Sequence, residues 1–245
     1  MANGFDPRAT AAPHSATAAG RESVAFDAGL RSHMLSVYNY MASAVLLTGI
    51  VAYGAAASGI AQQIFFESGI LKYVVLFAPL IMILVMSARM NRMSTGGLQA
   101  FYWSFAALMG LSMSLIPLLY TGTSIAATFF ATSAAFVSMS LWGYTTKKDL
   151  APLGTFLLMG LVGLIVAMVV NIFLRSDTMS LVISAIGVLL FAGLTAYDTQ
   201  KIKSIYFQVA GTDFLGKAAI MGALTLYLDF INMFQFLLSF MGSRE

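Results

Sequence analysis

The chain has 245 residues, of which 59% are hydrophobic and only 9% charged, against about 25% charged in soluble domains. That composition excludes a soluble core and predicts one polytopic membrane domain. The net charge of +3 is small, and with no cysteine there is no disulfide, thiolate or cysteine-metal site.

Residues 1–30 are rich in Ala, Thr, Ser and Gly, with Pro7 and Pro13, and lack the apolar core of a cleaved signal peptide. They are expected to form a disordered cytoplasmic tail, with residues 31–245 as the transmembrane domain. His14 and His33 are both expected to be solvated. Seven apolar stretches follow, each long enough to cross the hydrocarbon as a helix: about 34–57, 70–87, 98–120, 124–144, 153–174, 179–203 and 217–241. The fold class is therefore an all-α membrane protein, a seven-helix bundle. The break at 121–123 makes its flanking helices an antiparallel hairpin. Pro79 and Pro117 lie inside the second and third stretches and should kink them, freeing carbonyls that neighbours must satisfy.

Placement of Lys and Arg predicts the orientation. With the N-terminus inside, the inner side receives Arg8, Arg21, Arg31, Arg89, Arg92, Lys147, Lys148, Lys201, Lys203 and Lys217. That is ten of the thirteen, leaving Lys72, Arg175 and Arg244 outside. The C-terminus is then outside.

Two acids interrupt this hydrocarbon. Asp198 closes the sixth stretch in Phe191-Ala-Gly-Leu-Thr-Ala-Tyr-Asp198-Thr-Gln-Lys201, and Asp229 sits within the seventh in Leu226-Tyr-Leu-Asp229-Phe-Ile-Asn232. A charge at bilayer depth costs several kcal/mol, so such residues face protein or water. On a helical wheel, Gly222, Thr225, Asn232 and Ser239 fall with Asp229 in one arc of about 100°. Asp198 shares its face with Ser184, Gly187, Phe191 and Thr195. Thr195, Thr225 and Asn232 make a supporting polar stripe. If the inner boundary lies near Ser204 and Gly222, both acids are about 10 Å deep; starting instead at Lys217 puts Asp229 at about 18 Å. Touching carboxylates would share a proton and act as a proton sensor. Arg89, at the inner end of the second stretch, could compete with that proton, or simply anchor its helix.

The two aspartate motifs, together with Arg31 to Val37-Tyr38 and Met41 in the first stretch, closely resemble the Bax inhibitor-1 (transmembrane Bax-inhibitor-motif) family in its bacterial branch, over about residues 30–241. The resemblance implies seven helices with the last one central and, for the bacterial branch, a location in the inner (plasma) membrane. It also implies a pH-sensitive calcium leak, in which the matching aspartates form a hydrogen-bonded latch joined by an arginine of the second segment. Asp198 and Asp229 match directly; Arg89 matches by segment and rough position. No tightly bound cofactor is expected. Calcium would be the permeant ion, with transient contacts at Asp198 and Asp229, although Ca²⁺ normally takes six to eight oxygens. The partners expected are the lipid bilayer and calcium ions, and no nucleic acid.

Two other readings compete with the leak. Bacterial relatives are associated with a membrane-bound ATP-dependent protease, as modulator or substrate. An intramembrane aspartyl protease also carries one aspartate on each of two consecutive helices, the first after a tyrosine as in Tyr197-Asp198, and uses a shared proton. Leu226-Tyr-Leu-Asp229 departs from that family's Gly-x-Gly-Asp, and no Pro-Ala-Leu follows. The protein is expected not to be an enzyme.

Overall fold

The computed structural model describes residues 14–243, and their side chains from 28 onward. Every described element is helical, and seven helices are long and apolar enough to span a membrane. They are α1 (His14–Ala57), α2 (Leu71–Arg89), α3 (Thr95–Met113), α4 (Gly122–Thr145), α5 (Ala151–Leu174), α6 (Asp177–Val209) and α7 (Leu215–Met241). The protein is thus an all-α, multi-pass membrane protein. Three starts are read directly from the sequence, because Ser94, Thr121 and Ser176 each accept a hydrogen bond from a backbone N–H three residues on, as N-caps do.

The structure differs from expectation at several ends. Helix α1 begins at His14, directly after Pro13, so the expected tail is helical over its later part. Residues 1–13 lie outside the described residues. Between α1 and α2, Ile60–Gln62 continues into a π turn, Gln63–Glu67. Pro117 does not kink a continuous third helix. Helix α3 ends at Met113, and Pro117 sits in the first turn of a separate four-residue helix, Ile116–Leu119, where its missing N–H costs no helical bond.

Pro79 does lie inside α2, and without an N–H it leaves the carbonyl four residues back, that of Val75, without its helical donor. The Ser112 hydroxyl on α3 donates to that carbonyl. The defect in α2 is thereby answered by its neighbour, as lipid requires.

Helix α7 packs against α6, α1, α4 and α3, and α6 packs against α7, α4, α5 and α1. Helix α2 rests on α3 and on the π turn. Bonds between segments fix the two ends of the bundle. Leu150 N–H and Lys148 C=O meet the Gln200 amide, and Lys203 Nζ donates to Tyr144 C=O. At the opposite end Thr121 N–H donates to Ser243 C=O, and Ser243 N–H to Ser124 Oγ. Alternation of the seven spans puts Arg31, Arg89, Arg92, Lys147, Lys148, Lys201, Lys203 and Lys217 at one end, called the basic end below.

Candidate functional site: a carboxyl pair between the last two helices

Helices α6 and α7 run antiparallel in a constant register. Ser184 meets Ser239 (3.1 Å), the Phe236 ring lies over Gly187, where a Cβ would overlap it, and Gly222 lies on Ile202. From the first of these contacts to the last, α6 advances 18 residues while α7 descends 17. Asp198 and Asp229 stand within about one turn of the same step of this ladder, 14 residues along α6 from Ser184 and 10 along α7 from Ser239, and their carboxyl groups interact side chain to side chain. The level match of Gly222 with Ile202 puts Asp229, seven residues further in, about three residues deeper than Asp198, four residues further in, so its depth falls between the two values considered from the sequence.

Asp198 is 8% exposed and Asp229 4%. Asp229 Oδ2 is fully buried and meets no donor among the described residues. The cation that bears electrostatically on Asp198 is Lys201, one turn on along α6, whose ammonium also lies 5.8 Å from the Tyr197 ring centroid. Arg89 is not brought to the pair. It is exposed at the last turn of α2, a helix that packs on α3 rather than on α6 or α7.

Small residues let the neighbours close around this level. A Cβ on Gly143 would overlap the Ala196 carbonyl, and one on Gly154 would overlap the Tyr197 ring. Helices α4 and α5 therefore approach α6 within two residues of Asp198. The expected supporting residues behave differently. The Thr195 and Thr225 hydroxyls and the Asn232 amide each donate to the carbonyl four residues back, on Phe191, Met221 and Leu228. They quiet their own helices and do not bond the carboxyls.

Two hydroxyl chains were not foreseen. Thr199 donates to the Thr195 carbonyl (2.7 Å) and is paired with Ser140 on α4 (2.9 Å), which is paired with Tyr38 on α1 (2.7 Å). Since a hydroxyl has one proton, Tyr38 donates to Ser140 and Ser140 to Thr199. By the same logic Tyr227, two residues before Asp229, donates to Thr48 (2.7 Å), which donates to the Ala106 carbonyl (2.9 Å). Each aspartate is thus flanked by a chain that ties α1 to its own helix. The signal in the sequence was a hydroxyl among apolar residues, which is too common to single out.

His33 was expected in solvent. It is 5% exposed, its ring 5.3 Å from that of Tyr206, because α6 continues to Val209 and covers this face of α1. His33 is therefore part of the bundle. Among the described residues no three His, Cys, Asp or Glu side chains gather as metal ligands.

A family model described as "inhibitor of apoptosis-promoting Bax1" matches residues 30–245. The chain belongs to the Bax inhibitor-1 family. Bacterial proteins are similar to it along most of its length. An uncharacterised protein of Rickettsia prowazekii is 49% identical over 90% of this chain and 93% of its own length. One from Caulobacter vibrioides is 44% identical over 93% and 94%. The inner membrane protein YbhL of Escherichia coli is 42% identical over 89% and 94%. The family match covers all seven spanning helices and both aspartates.

Proposed function

We propose that this protein is a pH-sensitive, calcium-permeable leak of the bacterial inner membrane, with the Asp198–Asp229 pair as its gate. One observation carries the reading: two buried carboxyl groups that interact across antiparallel helices, one with an oxygen that no other donor among the described residues reaches. Two ionised carboxylates at that distance repel, so the contact requires a proton between them, and the two titrate as one unit. Removing that proton turns an attraction into a repulsion at the α6–α7 interface. Hard carboxylate oxygens are also the ligands that attract Ca²⁺, with water and carbonyls completing its shell in passage. The basic end faces the cytoplasm by the ten-to-three distribution of Lys and Arg, which puts the C-terminus outside. Arg89, exposed on α2, serves as an interfacial anchor.

The test is Ca²⁺ flux into proteoliposomes containing only this protein, across a pH series. Flux should vary between about pH 6 and 8 in the wild type, and Asp198→Asn or Asp229→Asn should each flatten that dependence. The double variant should add little, since non-additivity marks groups acting as one. Independent, additive shifts from the two changes would separate the carboxyls and remove the gate. Arg89→Gln should leave the midpoint unmoved. A shared proton also serves aspartyl proteolysis, so peptide cleavage by the same vesicles is the control; the leak reading expects none.

A further inference from the structure

Helices α1 and α4 both pack against α6 and α7 but make no extensive contact with each other. Between them runs a groove of about 980 Å³ floored by Phe230 of α7, at the upper end of volumes that hold a small molecule. It begins at Arg31, which is exposed, and its walls beyond are nearly all apolar. The α1 wall extends from Arg31 to Tyr53, about 33 Å at helical rise, which is the full hydrocarbon thickness. An acyl chain from one leaflet needs about half of that, and from Arg31 this reaches Ala42.

The mouth at the basic end is positively charged. Arg31 stands on one side. On the other, Lys203 donates to the Tyr144 carbonyl (3.0 Å) and lies 5.1 Å from the centroid of the Tyr144 ring, and Tyr144 itself lines the groove. A basic mouth over an apolar slot between membrane helices has the chemistry of an anionic lipid headgroup site.

We propose that this groove is a binding seat for one anionic phospholipid from the leaflet at the basic end, its phosphate on Arg31 and one acyl chain against the stretch from Met34 to Ala42. The seat differs from general lipid contact in being three-sided, with α7 as its back. It also reaches toward the carboxyl site: Tyr38, in the groove wall, begins the hydroxyl chain that ends at Thr199, next to Asp198. The seat requires only the groove and its charge, and stands whether or not the pair conducts.

The experiment is native mass spectrometry of the full chain released from nanodiscs of equal phosphatidylglycerol and phosphatidylethanolamine. One phosphatidylglycerol per chain should be retained in preference to phosphatidylethanolamine. Arg31→Gln should lower that preference about fivefold, the worth of one basic residue at an anionic surface. Ala42→Phe, from the α1 wall, and Leu141→Trp, from the α4 wall, should abolish retention by filling the slot. Leu158→Trp, on the exposed face of α5, should not. Equal retention of the two lipids overturns the proposal. So does retention that survives both groove-filling changes, or that is lost equally with Leu158→Trp. Should one groove-filling variant not fold, the other decides.

Discussion

Helices α5 and α7 have opposite relations between apolarity and burial. Helix α5 has the most apolar stretch of the seven, yet only 11% of that stretch is buried; α7 has the least apolar, and 61% of it is buried. In water the ranking would be reversed. Lipid is as apolar as a leucine side chain, so it gives no reason to bury hydrocarbon, and helices associate through close packing and polar contacts. Phe156, Val162 and Phe173 of α5 are accordingly 70%, 63% and 81% exposed, while α7 buries Asp229, Tyr227 and Gly222. In this bundle polar and small residues mark the interior.

The sharpest way to break that comparison is to make the same change on each side of it. Gly143→Val drives a side chain into the Ala196 backbone and should cost about 3 kcal/mol or more in unfolding experiments in lipid. Gly163→Val on α5, where a Cβ would meet nothing within 4 Å, should change stability by about 0.5 kcal/mol or less. Equal effects would mean that α5 is packed as tightly as α4.

The converse change puts a charge on the lipid face. Val162→Arg, midway along α5, should reduce membrane insertion by about 3 kcal/mol, read as the glycosylated or protected fraction in a translocation assay. Full insertion would show that this face of α5 meets water or protein.

Smaller effects sharpen the role of the hydroxyl chains. Thr48→Val leaves Tyr227 without an acceptor and should cost about 1.5 kcal/mol. Tyr38→Phe removes a single interhelical bond and should cost about 0.6 kcal/mol, typical of such bonds in lipid. If Tyr38→Phe proved the more damaging of the two, the α1–α4 link would outweigh the α1–α7 link, contrary to the ranking of buried surface.

The aspartates were legible because a charge in hydrocarbon is rare enough to carry information by itself. Their contact was not, since the depth of Asp229 depended on whether the chain re-enters at Lys217 or Gly222, and the register of the two helices, which local sequence does not encode, falls between the two. His33 was misread for a related reason: its surroundings come from the far end of α6, some 170 residues away in the sequence, and nothing local announces how far that helix extends. Pro79 showed the opposite behaviour. A missing N–H is a local fact, so the need for an outside donor could be stated from sequence, though not that Ser112 would supply it. Thr195, Thr225 and Asn232 were placed on the correct helices, but their donors were free to turn back to their own carbonyls, a choice that helical-wheel angles do not encode.

The seat of Phe236 on Gly187 constrains how the last two helices can move. A ring lodged over a bare backbone position, with Phe191 stacked against it at 5.8 Å, acts as a peg: α7 cannot slide along α6 without first lifting that ring out. The seat lies near the end opposite the carboxyls, about seven residues of α7 from Asp229. Were the two acids to separate as the proposed gate requires, the peg would make that movement a lever, opening widest toward the basic end and leaving the far end clasped. A substitution that loosens the peg, such as Phe236→Ala, would turn that lever into a piston.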